Sequence, residues 1–235
     1  MRHRMRSLGA DQSSGTIWRR AAVAAVAWGA ELILRAWHAS WRKDMQQVGR
    51  LDELLHGPSP VLVAFWHGKY LPLFALLEGR RATVIAGDSF RGDVIARLSR
   101  RFGHEVVLIP TGPESGSSTD LEAILGPAHT VAVAVDGPLG PYQMVKPGLL
   151  RLASDLGFVI LPVSVAAAQK SVQKARWDRR EWPWPFARIA LSVGEPMSVS
   201  PAATRDDLAR CAVRLREALL AADREAERRA CGPSY

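Results

Sequence analysis

The chain has 235 residues, 48% hydrophobic and 23% charged, which excludes an intrinsically disordered chain and suits one domain with a large core. Its 31 Lys and Arg against 23 Asp and Glu leave a net charge of +8, which favours anionic partners: phospholipid head groups, phosphorylated substrates, an acidic carrier protein or nucleic acid. The two cysteines, Cys211 and Cys231, exclude a disulfide framework and have no metal-ligand spacing, a usage that fits a reducing compartment.

In chain order, residues 1–43 carry eight Lys or Arg against Asp11 and Glu31. Within them Ala21–Leu34 is apolar apart from Glu31. This run is shorter than the roughly 20 residues needed to cross a bilayer. It predicts an interfacial helix, with Trp18, Trp28, Trp37 and Trp41 near the head groups and arginines on anionic phosphates. Packing of the same helix on the rest of the chain is compatible with that role. Residues 1–45 are therefore expected to be a basic, amphipathic, membrane-associating segment, and residues 46–235 a separate α/β domain.

Beyond this segment, strands are predicted at Val61–Phe65, Thr83–Ala86, Glu105–Ile109, Thr130–Val135, Val159–Val165 and Arg188–Val193. Helices are predicted at Leu71–Leu77, Asp93–Phe102, Thr119–Leu125, Pro147–Leu156 and Arg205–Arg229. Such alternation implies an α/β fold with a mixed, mostly parallel sheet flanked by helices. Pro147 suits the first turn of its helix. Thr204 with Asp207 approximates a capping box. Leu208, Cys211, Leu215, Leu219 and Ala222 form one apolar stripe, and Arg224–Arg229 reads as a solvated end.

The chemistry-bearing candidates lie at strand ends. The strand Val61–Phe65 delivers His67, and Gly68 lets the chain turn and leaves space beside the ring. Histidine, with an ordinary pKa of about 6.5, suits proton abstraction near neutral pH. A second turn, Val135–Pro141, also follows an apolar strand, and strand ends of a parallel sheet converge on one edge. Asp136 thus joins His67 as a catalytic candidate, although Asp-Gly-Pro is also strong turn chemistry. Asp88 and Asp93 are candidates to orient His67, Asp93 also being suited to a helix start.

Thr111–Thr119 lies between a strand and a helix and could hold an anion on backbone N–H groups, but it lacks the ending of a phosphate-binding P-loop. No Gly-x-Ser-x-Gly elbow occurs, which counts against a serine-dependent esterase. Lys170–Arg188 interleaves six cations with Trp177, Trp182 and Trp184. That pattern suits a membrane interface or nucleic acid, and the basic N-terminal segment favours the membrane. Pro183 and Pro185 weigh against a regular strand there.

Four motifs occur in order: Phe65-Trp66-His67-Gly68, Asp136-Gly137-Pro138-x-Gly140-Pro141, Lys146-Pro147-Gly148 and Val159-Ile160-Leu161-Pro162-Val163. The series resembles a bacterial group of lysophospholipid acyltransferase-like proteins within the glycerolipid acyltransferase superfamily, over roughly residues 30 to 220. The resemblance implies a glycerolipid acyltransferase-like domain. The implied reaction moves an acyl group from a thioester donor, acyl-CoA or acyl-carrier protein, to a hydroxyl of a lysophospholipid or other lipid-linked acceptor, with His67 as general base and no bound cofactor.

The superfamily places an acid five positions after its His, where this chain has Pro72. Asp136-Gly137-Pro138 stands where Glu-Gly-Thr is usual, and Leu139 where Arg is usual. Acceptor binding is accordingly expected from Lys146, Arg91, Arg151 and Gly137, and oxyanion donors from backbone N–H groups near Gly137 or Gly140. The implied partners are membrane phospholipids, the lipid acceptor and an acyl-carrier protein, without nucleic acid. The implied location is peripheral, on the cytoplasmic face of the inner membrane. The alternatives are a catalytically silent membrane-binding protein of the same fold, or a lipid esterase or thioesterase.

Overall fold

The computed structural model describes residues 10–109, 118–137 and 139–232, with side chains described for all of these except 10–17, 91 and 118–121. The chain order is α1 (Ala10–Ser40), β1 (Arg42–Asp44), α2 (Val48–Leu55), β2 (Val61–Phe65), α3 (Tyr70–Leu76), β3 (Thr83–Gly87), α4 (Phe90–Arg101) and β4 (Glu105–Ile109). It continues with α5 (Ser118–Leu125), β5 (Thr130–Ala134), α6 (Pro147–Asp155), β6 (Val159–Ala167), β7 (Lys170–Val172), β8 (Glu181–Pro183), β9 (Arg188–Val193), β10 (Met197–Ser198) and α7 (Arg205–Cys231).

The main sheet runs β1-β9-β6-β2-β5-β3-β4, with β10 added against β6. β2 pairs parallel with both β5 and β6, and β3 pairs parallel with β5 and β4. The β6–β9 and β6–β10 ladders are antiparallel, so the sheet is mixed but mostly parallel. All six predicted strands form within a residue or two of their expected bounds. The short strands β1, β7, β8 and β10 are too brief to carry a periodic signal, and α2, although amphipathic, is only 8 residues long, so none is read from sequence.

Period-two alternation along the central strands divides the core between the two faces. Leu62 and Ala64 of β2 pack with Leu125 of α5, Leu150 of α6 and Leu215 and Leu219 of α7. Val61 and Val63 pack on the other face with Leu34 of α1, Leu51 of α2 and Leu73 of α3. Burying each such Val or Leu side chain contributes about 1.5–3 kcal/mol. The start of α7 is a capping box: Thr204 Oγ1 accepts the Asp207 N–H at 3.2 Å, and Asp207 Oδ2 accepts the Thr204 N–H at 2.9 Å. The stripe Leu208, Cys211, Leu215, Leu219 and Ala222 is buried as its spacing predicts.

The other end of α7 departs from expectation. The Arg229 side chain, 8% exposed, is ion-paired with Asp44 of β1 and donates to the Leu191 carbonyl at 2.9 Å. A run of alternating charges looks solvated in one dimension, whereas here one member ties the helix to the sheet edge.

The N-terminal helix packs on the domain. Val23, Ala27, Leu34 and the following Trp41 are buried. Arg35 lies over the Phe102 ring at 4.7 Å, and Glu31 pairs with Arg35 and Arg101. Two of the four tryptophans expected at head groups face inward instead: Trp41 is buried, and Trp37 stacks on Trp182 at 5.6 Å. Trp18 and Trp28 remain exposed, with Leu32 and Ile33 beside them along the helix. No helix among the described residues is long and apolar enough to cross a membrane.

Candidate active site

The site forms where the carboxyl ends of β2 and β5 meet. After Phe65 the chain enters a single 3₁₀ turn, His67–Lys69, before α3. Parallel pairing sets β2 beside β5 as far as Phe65 and Ala134, and the Val135 N–H donates to the Phe65 carbonyl at 3.0 Å. The two turns are thereby held side by side.

Asp136 completes this arrangement from within. It is fully buried, and its carboxylate accepts the backbone N–H of His67 at 2.8 Å and that of Gln143 at 3.2 Å. Burial raises its pKa, against the hydrogen bonds it accepts. Asp136 therefore acts on His67 through the main chain: it fixes where the turn begins rather than touching the ring. The turn reading of Asp-Gly-Pro and the placement of both strand ends at one site hold together. Gly137 lies against the ring, since a Cβ there would stand 3.1 Å from His67 Cδ2. Its N–H donates to the Ala134 carbonyl at 3.2 Å, so this expected oxyanion donor is already engaged in the turn.

The ring of His67 is oriented by a residue that the sequence reading passed over. His67 Nδ1 lies 3.0 Å from Asp178 Oδ2, across 111 residues of chain. Asp178 sits at the tip, residues 173–180, of the antiparallel ribbon β7–β8. Its side chain is wholly buried and receives Arg176 Nε at 2.9 Å and an Arg180 terminal nitrogen at 3.3 Å. Burial by itself would raise this carboxyl, but the hydrogen bonds from Arg176 and His67 and the Arg180 charge outweigh it and hold it at about 2. At neutral pH Asp178 is thus a carboxylate, and the hydrogen on the imidazole belongs on Nδ1. The lone pair is then on Nε2.

Desolvation lowers the His67 pKa, against the raising influence of Asp178. Trp177, from the same tip, lies 5.1 Å from the His67 ring, and Tyr70 packs edge-on at 5.5 Å. The His67 side chain keeps 26% of its surface exposed, so a neutral, oriented base has one open side. Among Asp88 and Asp93, the acids expected to orient it, Asp93 pairs with Arg19 and the Asp88 N–H donates to the Ile109 carbonyl at 2.7 Å. Pro72 is buried in α3.

Gly68 permits the close approach of the ribbon. A Cβ at this position would lie 2.3 Å from the Asp178 carbonyl oxygen and 3.4 Å from that of Arg179, both main-chain atoms. Gly68→Ala is therefore expected to push the tip away from His67. It should cost about 1–3 kcal/mol of stability and lower activity in the same variant. A wild-type melting curve with intact turnover would show that the approach is not needed.

Around this pair lies a buried charge network. Lys69, 6% exposed, reaches Glu181 of β8 at 2.9 Å and Asp223 of α7 at 3.9 Å. Asp223 accepts from Ser164 of β6, and burial raises its pKa. Lys170 pairs with Glu181 and Glu227. These pairs pin the ribbon to α7 and to the turn that carries His67. The segment expected to lie on a membrane surface is thus largely occupied internally, although Trp184 and Phe186 stay exposed. Glu181–Pro183 also forms a short strand despite its proline, at the ribbon's edge, where a missing N–H is tolerated.

Of the cations expected to bind phosphate, Lys146 and Arg151 have described side chains. The Lys146 amine donates to the Gly140 carbonyl, on the loop that follows Asp136. Arg151 is exposed on α6 and pairs with Asp155 at 3.8 Å, and no contact among the described residues joins it to His67. The Arg91 side chain, Pro138 and the loop Thr111–Ser117 lie outside the described residues. Leu139 is 85% exposed. Among the described residues no cluster of three or more His, Cys, Asp or Glu side chains converges as a metal site.

No family model matches the chain. An uncharacterized protein of Rickettsia prowazekii (strain Madrid E) is 27% identical over 143 residues, which are 59% of this chain and 64% of that protein. The matched stretch therefore takes in less than two-thirds of that relative. Among solved structures, the 1-acyl-sn-glycerophosphate (LPA) acyltransferase PlsC from Thermotoga maritima is similar with a TM-score of 0.53 at 16% identity, over 97% of this chain and 86% of that one. This likeness is one of fold: a mixed, mostly parallel sheet flanked by helices.

Proposed function

We propose that this protein transfers a fatty acyl group from a thioester donor, acyl-CoA or acyl-carrier protein, to a hydroxyl of a lysophospholipid or other lipid-linked acceptor. The observation that carries this reading is the His67–Asp178 contact of 3.0 Å, with one side of the ring open, at the strand edge of an acyltransferase-like fold. Asp178 holds Nδ1–H, and Nε2 takes the acceptor's hydroxyl proton as that oxygen attacks the thioester carbonyl carbon. The tetrahedral oxyanion then collapses with loss of the thiolate. The His67 imidazolium, stabilised by Asp178, returns the proton to the sulfur.

The reaction needs no bound cofactor and no nucleic acid. Asp136 and Gln143 shape the loop at the acceptor end, Gly137 leaves room beside the ring, and Lys146 braces the loop at Gly140. The exposed Trp18, Trp28, Leu32 and Ile33 of α1 support peripheral attachment to a membrane, and the use of a thioester donor favours the cytoplasmic face of the inner membrane. Peripheral attachment accords with the lack of a spanning helix among the described residues.

The test is incubation of the full-length protein with labelled acyl-CoA or acyl-carrier protein and a panel of lysolipids in membranes. Labelled diacyl product supports the assignment. Labelled free fatty acid without lipid product identifies a thioesterase, and neither product identifies a silent relative. The pH profile is a second measure. Desolvation holds the His67 pKa below its ordinary value, so kcat/KM should rise with pH along a limb centred below about 6.5 and be flat at neutral pH. A limb centred well above that value would assign proton abstraction to another group.

A further inference from the structure

Between α1 and α4 lies a cavity of about 690 Å³ into which four arginines project, Arg19 and Arg20 from one helix and Arg97 and Arg100 from the other. Positions 93, 97 and 100 share one face of α4, which turns Asp93, Arg97 and Arg100 together towards α1. Asp93 pairs with Arg19 and is the sole acid lining the cavity among the described residues. No ion pair among those residues engages Arg20, Arg97 or Arg100. Arg20, Arg97 and Arg100, all exposed, thus leave an excess of positive charge beside the one Arg19–Asp93 pair, which an anion would offset.

The floor of the cavity is apolar: Val23 is 6% and Ala96 2% exposed, with Leu108 of β4 beside them. Trp18, 75% exposed, stands next in sequence to Arg19, while the outward residues Trp28, Leu32 and Ile33 lie farther along α1, outside the cavity. A soluble phosphate would need only the cations. An amphiphile with a phosphate head and acyl carbons would use the cations and the apolar floor together.

We propose that this cavity holds the phosphate of an anionic membrane phospholipid, at a site separate from the acceptor site at His67. Its chemistry does not depend on whether His67 is a base. Guanidinium forks match phosphate oxygens two at a time, so a seated head group, with one negative charge on its phosphate, would bridge the unpaired arginines, offset part of their charge and fix the angle at which α1 meets the bilayer.

The test is co-sedimentation of the full-length protein with vesicles of phosphatidylcholine containing phosphatidylglycerol. Arg97→Gln with Arg100→Gln removes two cations from the cavity. Arg205→Gln with Arg214→Gln removes the same charge from α7, where both arginines are exposed and lack ion pairs among the described residues. The cavity variant is expected to bind the vesicles about thirty-fold more weakly, on the basis of about 1 kcal/mol per arginine at an anionic surface. The α7 variant should lose severalfold less, with both melting curves unchanged. Equilibrium dialysis with labelled coenzyme A and with inorganic phosphate should show no saturable binding that depends on Arg97 and Arg100.

Equal losses in the two double variants would overturn the site in favour of diffuse charge attraction. Failure of the unaltered protein to sediment with the vesicles would overturn lipid contact altogether. Saturable coenzyme A or phosphate binding that requires Arg97 and Arg100, with vesicle binding unaffected by their loss, would reassign the cavity to a soluble ligand. Acyl transfer is not the measured quantity, so each of these failures leaves the His67 assignment standing on its own tests.

Discussion

Replacing His67 by Ala is expected to lower turnover by about 10²–10⁴-fold, the loss that follows removal of a general base, while the chain still folds. The ring is a quarter exposed and packs against Trp177 and Tyr70 without filling the core, so its loss should shift the melting temperature little. The structural role at this position falls to its backbone N–H, which Asp136 accepts and which alanine retains. Turnover and fold are therefore separable in this variant. Free imidazole added to the assay should restore part of the lost rate, because the truncated side chain leaves a gap between two aromatic walls and the Asp178 carboxylate. Near-normal turnover of a well-folded His67→Ala protein would remove His67 from the chemistry.

The reading of the chain from sequence succeeded where periodicity and local turn chemistry carry the information. Val61–Phe65 is apolar and β-branched, and it forms a strand as expected, with His67 just past its carboxyl end; its central place in the sheet comes from the topology. Asp136-Gly137 marks the neighbouring turn, and parallel pairing of β2 with β5 brings the two together. What stayed illegible is the contact between His67 and Asp178, because it depends on the path of a ribbon 111 residues away. A signal was present: Asp178 is the one acid at a tip otherwise occupied by Arg176, Arg179 and Arg180. A single acid among cations has its partners supplied locally and is free to be buried. Composition hides this, because Arg176 and Arg180 fit a membrane-facing patch of cations when they serve Asp178.

Trp37 and Trp182 show the same limit. Each belongs to a stretch whose composition suggests an interface, and they are each other's stacking partner. Exposure of an aromatic residue cannot be read from its neighbours in sequence when its cover comes from another element. Trp18 and Trp28, which have no such cover among the described residues, do face outward. Arg229 repeats the point for charge, since its partner Asp44 lies on the edge strand β1, too short to announce itself.

The largest effect after loss of His67 itself is expected from Asp178→Asn, which keeps the shape of the side chain and removes its charge. Three consequences follow from the geometry. The Nδ1–H tautomer loses its anionic acceptor, so Nε2 is no longer fixed as the basic nitrogen. The imidazolium formed during proton transfer loses its stabilising carboxylate, and Arg176 and Arg180 are left beside it without a counter-charge. Turnover should fall by about 10²–10⁴-fold, as when the acid that orients a catalytic His is neutralised.

The pH profile separates this account from simple loss of packing. In the native protein the Asp178 hydrogen bond and charge raise the His67 pKa, partly offsetting desolvation. Removing that charge must lower the pKa further, so the acid limb of the residual activity should move to lower pH while its plateau drops. Stability should follow the opposite sense of linkage. A carboxyl held at about 2, against 3.8 when free, favours the fold above the free value, a contribution of roughly 2 kcal/mol that is lost as the pH falls through the bound one. The native protein should therefore lose stability towards pH 2 more steeply than Asp178→Asn does. A variant with reduced turnover but an unmoved acid limb would mark Asp178 as a structural anchor of the ribbon and leave His67 without an orienting acid.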